Sequence, residues 1–154
     1  MKRNVLLAFI LAPLLFTACG KTSEPCVPAT VASEKAAMVA YCTANNITYT
    51  EHASGILYEV MSPGLTTQPT IANTVSVVYT GKLLNGNQFD ASANPVRLAL
   101  SGVIKGWQIG IPLIKKGGRI KMVIPSSLAY GCTGQGSIAP NSPLYFEVTL
   151  TDVL

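Results

Sequence analysis

From residue 56 onward, apolar and polar residues alternate with a period of two. Ile56, Tyr58 and Val60 alternate with Leu57, Glu59 and Met61; Val75, Val77 and Tyr79 alternate with Ser76 and Thr80; Val96, Leu98 and Leu100 alternate with Arg97 and Ala99. Ile120, Met122 and Ile124 alternate with Arg119 and Lys121, and Leu144, Phe146, Val148 and Leu150 with Tyr145, Glu147, Thr149 and Thr151. Each run predicts a strand with one apolar side. One-sided alternation belongs to an antiparallel sheet that buries one face and wets the other. The cover for the buried face is the segment Ile104 to Lys116, where Ile104, Trp107, Ile111 and Ile114 fall on one helical stripe before Gly117-Gly118 ends it. Pro112 removes a backbone donor and crowds Gln108, so this helix is expected to be distorted and no longer than two turns. Turn residues stand at Pro63-Gly64, Asn85-Gly86 and the glycine-rich stretch Gly131 to Gly136. Residues 47–154 are therefore expected to form one α+β domain, a twisted antiparallel sheet wrapped around a short helix.

Upstream the period changes. Ser33 is placed to cap a helix over residues 33–46, with Glu34 in its first turn, Ala36, Ala37, Val39, Ala40 and Tyr41 along it, and Asn45-Asn46 as its stop. It is expected to pack as a short appendage beside the main fold. Residues 19–32 are rich in Ser, Thr, Pro and Gly and read as a tether. Residues 1–18 have the layout of a secretory signal: Lys2 and Arg3, then an apolar run from Val5 to Phe16, too short for the roughly 20 residues that span a bilayer. Much of the positive mean hydropathy of +0.39 is thus front-loaded targeting sequence. Phe16-Thr17-Ala18 before Cys19 resembles the bacterial lipobox, with Phe16 where Leu is usual. That resemblance implies lipidation of Cys19 and a membrane-anchored protein at the bacterial cell envelope, at the outer membrane facing the periplasm; under ordinary signal cleavage Cys19 is a bystander.

Loss of Lys2 and Arg3 takes the formal charge from +4 to +2, and nucleic-acid binding, which needs a clustered basic face, is not expected. Lys115, Lys116, Arg119 and Lys121 read as a solvated turn and strand face. With 49% hydrophobic residues the chain is not disordered, and 154 residues suit one domain. Export permits disulfides. Without Cys19 three cysteines remain, Cys26, Cys42 and Cys132, so at most one internal bridge closes; Cys26 with Cys42 is the pairing expected, which leaves Cys132 as a small filler residue. The single His52 reads as a surface residue, and no metal or cofactor is expected.

Covalent catalysis has no basis in this chain: there is no Gly-x-Ser-x-Gly elbow, no Cys-His spacing and no phosphate loop. An aromatic set stands out instead: Tyr79, Phe89, Trp107, Tyr130 and Phe146, with Asp90 beside Phe89. Such rings can be plain core, yet Phe89, Asp90 and Tyr130 stand at the ends of elements, where pockets are lined.

Val78-Tyr79-Thr80-Gly81, Leu84-Asn85-Gly86 with Phe89-Asp90-Ala91-Ser92, and Val103-Ile104-Lys105-Gly106-Trp107 with Gly110 resemble successive signatures of FKBP-type peptidyl-prolyl isomerases. Gly117-Gly118, Ile124-Pro125, Ala129-Tyr130-Gly131, Ile138-Ala139-Pro140-Asn141 and the strand Leu144 to Leu150 continue the resemblance in order. It implies a five- or six-stranded antiparallel sheet around one short helix and acceleration of X-Pro rotation in exported or unfolded proteins. By the same resemblance Trp107 floors a proline pocket, Tyr79, Phe89 and Phe146 wall it, and Val103 and Ile104 rim it, with Val96 and Ile138 also binding substrate. The Ile104 amide and the Tyr130 hydroxyl are then donors to the peptide, Asp90 lies near the twisting imide, and proline-containing polypeptides and macrolide-type inhibitors are the partners. Three departures stand out: Val96 where many members have an aromatic residue, no Arg to pair with Asp90, and a shortened loop around Gln135. A non-catalytic module that holds proline-containing segments is the alternative function; a structural lipoprotein with a filled core is a third.

Overall fold

The computed structural model describes residues 25–154; the signal segment, Cys19 and the start of the tether lie outside the described residues. Six antiparallel strands form one sheet: β1 (Thr50–Glu51), β2 (Leu57–Ser62), β3 (Thr74–Leu83), β4 (Gln88–Ala99), β5 (Arg119–Ile124) and β6 (Leu144–Val153). Their order is β1-β2-β5-β6-β3-β4. The five alternating runs lie in β2 to β6, and β1, two residues long, is too short to show a period. The run from Val96 is only the end of β4, whose first half is broken by bulges that spoil the alternation.

On one face, Val75, Val77, Ile120, Met122, Ile124, Leu144, Phe146, Val148 and Leu150 form a single buried cluster with Trp107, Ile111 and Ile114. The cover is α2 (Lys105–Gly110), followed by a one-turn 3₁₀ segment Ile111–Leu113 in which Pro112 makes the expected distortion. Close seating of this helix depends on two glycines one turn apart: a Cβ on Gly106 would strike Ile124, and one on Gly110 would strike the Met122 sulfur.

The upstream helix α1 spans Val31–Ala44, starting two residues before the expected Ser33. Its cap is Thr30, whose hydroxyl accepts the Ser33 N–H at 3.1 Å while the Ser33 hydroxyl donates back to the Thr30 carbonyl at 2.8 Å. The helix is more than an appendage. Met38, Tyr41 and Cys42, spaced three and four apart, pack on Leu57, Val123 and Tyr145, the side of the sheet away from α2. Leu57 and Tyr145, expected on a wet face, are therefore 1% and 7% exposed. Full burial of a side chain the size of Met38 contributes about 1.5–3 kcal/mol to that docking. Elsewhere that face is polar: Lys116, Arg119 and Lys121 pair with Asp152, Glu147 and Glu59.

The expected Cys26–Cys42 bridge is not formed. Cys26 bonds Cys132, and Cys42 is free and buried under α1. The cause is the path of the chain: before α1, residues 25–30 run along the 131–141 loop, where the Asn141 side chain accepts the Ala29 N–H at 2.9 Å and donates to the Val27 carbonyl at 3.0 Å. The helix then carries Cys42 to the other face of the sheet. Part of the expected tether is thus fixed to the domain, and Cys132 is a bridge partner and not a filler.

Candidate functional site

At one end of the concave face lies an open cavity of about 300 Å³ lined by Tyr79, Phe89, Asp90, Leu98, Gly102, Val103, Ile104, Trp107, Tyr130 and Phe146. Eight of these ten are residues expected from the sequence; Leu98 and Gly102 are the additions. Val96 and Ile138 do not line it. Val96 lies at the edge of the core opposite Val77, two residues short of the cavity that Leu98 reaches, and Ile138 is 6% exposed inside the core.

Register explains how the walls meet. Gly81 of β3 pairs with Phe146 of β6 on one side and Asp90 of β4 on the other. The register then shifts, so that Lys82 pairs with Gln88 and Phe89 is an extra residue. Neighbours on a regular strand point to opposite faces, and this bulge is what lets both Phe89 and Asp90 reach one cavity. Gly81 leaves the room they need, since a Cβ there would lie 2.8 Å from ring carbons of both Phe89 and Phe146. The glycine is thus part of the site, although in the sequence it stands only as the last residue of the Val78-Tyr79-Thr80-Gly81 signature, with no site role.

The rings form a chain of edge-to-face contacts. Trp107 meets Tyr79 at 5.1 Å and Phe146 at 5.2 Å between centroids, and Phe146 meets Phe89 at 5.5 Å, all within a few degrees of perpendicular. Each such pair contributes about 0.5–1.5 kcal/mol beyond its buried area. Trp107 is 4% exposed, and among the described residues its buried indole N–H has no hydrogen-bond partner. That N–H is out of reach of solvent, so the floor that Trp107 gives the cavity is its apolar ring.

Polar groups stand at the wall. In place of an Arg, Asp90 has Tyr79, whose hydroxyl donates to Asp90 Oδ2 at 2.6 Å. Burial, and next the hydrogen bond to Asp90, pushes the Tyr79 hydroxyl up to about 12. Because the folded value lies above the ordinary one, its contribution to stability is complete below about pH 10 and fades as the pH rises toward about 12. Burial, then the negative charge of Asp90, raises Tyr130 in the same direction. Both phenols stay donors at neutral pH.

The rim is held from below. Gln108, a residue the sequence did not single out, donates through Nε2 to the Val103 carbonyl at 2.7 Å and the Ser101 carbonyl at 3.1 Å. Its glutamine is one turn along α2 from Ile104, whose carbonyl receives the Trp107 and Gln108 N–H groups and so opens the helix. On the far side Tyr130 follows the one-turn segment Ser126–Leu128, and its carbonyl accepts from Gly134 N–H and the Thr133 hydroxyl. Among the described residues no group of three or more His, Cys, Asp or Glu side chains converges to hold a metal ion. What remains is an open, mostly apolar aromatic bowl with one carboxylate and polar donors at its wall. Because the bowl is open, its rings are not simply a filled core.

A family model described as FKBP-type peptidyl-prolyl cis-trans isomerase matches residues 66–151. The chain is 46% identical over 104 residues to the FKBP-type peptidyl-prolyl cis-trans isomerase FkpA of Escherichia coli strain K12, covering 66% of this chain and 38% of that protein. A probable FKBP-type peptidyl-prolyl cis-trans isomerase of Haemophilus influenzae is 48% identical over 104 residues, covering 65% and 43%. The chain thus spans about two fifths of the length of the curated relatives it matches. Among solved structures, FkpA from Escherichia coli superposes with a TM-score of 0.71 at 40% identity, over 80% of this chain and 60% of that one. A peptidyl-prolyl cis-trans isomerase from Pseudomonas syringae gives 0.69 at 33% identity, over 82% and 98%. With fold, site and family model in agreement, the chain belongs to the FKBP-type peptidyl-prolyl cis-trans isomerases.

Proposed function

We propose that the protein accelerates cis-trans rotation about X-Pro bonds in exported or unfolded polypeptides. The observation that carries this is the bowl itself, sized for a proline ring and its neighbours and lined by five aromatic rings beside one carboxylate. Amide resonance raises a barrier of about 18–20 kcal/mol to rotation, and no covalent bond has to change. Resonance also places negative charge on the amide oxygen, where water stabilises the planar ground state. An apolar bowl withdraws that solvation and favours the twisted state, in which the charge separation is lost. Trp107 is the floor, Tyr79, Phe89 and Phe146 the walls, and Leu98, Val103 and Ile104 the rim. The Ile104 N–H and the Tyr130 hydroxyl donate to carbonyls of the peptide, and Asp90, oriented by Tyr79, acts on the imide through its field. Macrolide-type inhibitors compete for the same bowl.

A protease-coupled isomerisation assay on short X-Pro peptides tests this. The protein is expected to accelerate rotation, with kcat/KM unchanged between about pH 6 and 9 because no proton moves and Tyr79 keeps its hydrogen well above that range. Phe89→Ala and Asp90→Ala are each expected to lower kcat/KM about tenfold, equal to some 1.4 kcal/mol of lost preference for the twisted state. A folded protein that binds proline peptides without accelerating them would make it a holding module instead.

The same reading places the protein at the cell envelope, anchored by lipid on Cys19. The Cys26–Cys132 bond supports an oxidising compartment. Six residues lie between Cys19 and Cys26, seven Cα–Cα steps, so the extended chain between them reaches at most about 25 Å, and the bowl would work close to the membrane surface. Cys19→Ser is expected to move the protein from the membrane fraction to the soluble one and to abolish incorporation of labelled fatty acid. Retention in the membrane fraction would rule the anchor out, and separating inner from outer membranes in the same experiment identifies the membrane.

A further inference from the structure

We infer that Glu34, on a helix outside the bowl, is a positioning residue for Tyr130; this rests on the isomerase reading above. Glu34 is a carboxylate with only 7% exposure, aimed from the first turn of α1 at Ser126, itself 1% exposed. It accepts the Ser126 N–H at 2.8 Å through one oxygen and the Ser126 hydroxyl through the other. A buried carboxylate is costly unless hydrogen-bonded, and an apolar side chain of the same length would dock α1 at no such cost. What the carboxylate adds is an acceptor for the buried Ser126 N–H and hydroxyl, which an apolar side chain would leave unpaired.

What it holds is the base of the Tyr130 turn. The Ser126 carbonyl accepts the Ala129 N–H at 2.9 Å and the Gly131 N–H at 2.8 Å, so the two residues flanking Tyr130 both hang from Ser126. Past Tyr130 the same loop is tied to the same upstream segment by the Cys26–Cys132 bond, and the Gly131 carbonyl accepts the N–H of Asn141, whose side chain holds Val27 and Ala29. Tyr130 is thus clamped from both ends by residues 26–34. A tyrosine that reaches its cavity from a turn gains its aim from that clamp, because among the described residues no hydrogen bond fixes its hydroxyl.

The test is a double-mutant cycle on the whole protein. Glu34→Met keeps length and burial, and urea unfolding checks that it folds. Glu34→Gln is the second variant, retaining an acceptor for Ser126. With Tyr130 present, Glu34→Met is expected to lower kcat/KM about fivefold, mainly in kcat, and Glu34→Gln to lower it less. In a Tyr130→Phe background the loss is expected to vanish. The same fold-loss in both backgrounds, or none in either, overturns the proposal. Amide exchange at Ala129, Tyr130 and Gly131, followed by NMR, is expected to quicken in Glu34→Met. Exchange unchanged there overturns the positioning role whether or not the protein is an isomerase, whereas an inactive wild type overturns the isomerase reading alone.

Discussion

Removal of the Cys26–Cys132 bond, by reduction or as Cys26→Ser, is expected to lower the stability of the fold by about 4 kcal/mol. The partners are 106 residues apart in sequence, so in the unfolded chain the bond closes a loop that contains both helices and five of the six strands. Loop-closure entropy for roughly 100 residues is worth about 4.7 kcal/mol in the chain-entropy model. A partial offset follows from the position of Cys26 near the start of the described chain: once the bond is cut, residues 25–29 retain the Asn141 hydrogen bonds to Val27 and Ala29 and regain freedom in the folded state. In urea, with a slope of about 1.5–2 kcal/mol/M, the midpoint should fall by roughly 2–3 M. Cys42→Ser, by contrast, removes no cross-link. Its effect should stay within the modest range of a small core change, because Cys42 is buried but unbonded. A midpoint that barely moves on reduction would mean that the strap frays freely and that the unfolded chain was not what the bond constrained.

The path of that strap was not readable along the chain, and the reason is physical. Cysteine pairing is decided by where the backbone goes, and the direction of residues 25–30 follows from a single side chain, Asn141, more than a hundred positions away. Period two, by contrast, is imposed locally by the pleat, so β2, β3, β5 and β6 were visible as alternation. Where the pleat breaks, the reading broke with it. Two extra residues on β4 between Ser92 and Val96 slide the end of the strand along β3 without changing its face, so the position given to Val96 belongs to Leu98. The docking of α1 left a trace that passed for noise. Leu57, Val123 and Tyr145 are apolar or aromatic at positions that alternation assigns to solvent, and together they mark a second covered patch. The bowl was legible because Tyr79, Phe89, Asp90, Val103, Ile104, Trp107, Tyr130 and Phe146 stand in ordered motifs that resemble the FKBP-type signatures, although aromatic residues alone could have been core. The roles of its supports were not legible, because Gly81 acts by leaving room for two rings and Gln108 and Glu34 by bonding groups distant in sequence or on the backbone.

Trp107→Ala should cost more than any other single change in the bowl, and in two separable ways. Loss of a buried Trp typically destabilises by about 3–5 kcal/mol. Here the lower end is expected, because the indole N–H has no partner, and its removal relieves part of a burial penalty of about 1–3 kcal/mol. Trp107→Phe separates the two contributions: it keeps a ring against Tyr79 and Phe146 while deleting the orphan donor, so stability should fall by well under half as much as in the alanine variant. Activity should follow the floor and not the stability. In Trp107→Ala water enters beneath the substrate and solvates the planar amide again, so kcat/KM should drop by about a hundredfold, near 3 kcal/mol of lost selectivity, even at temperatures where the variant remains folded. Trp107→Phe, with the bowl still dry, should retain kcat/KM within about tenfold of the wild type. If the alanine variant, shown by circular dichroism to be folded, turned over X-Pro peptides at the wild-type rate, exclusion of water by the floor would not be the source of catalysis, and the field of Asp90 and the fixed donors at the rim would have to supply it.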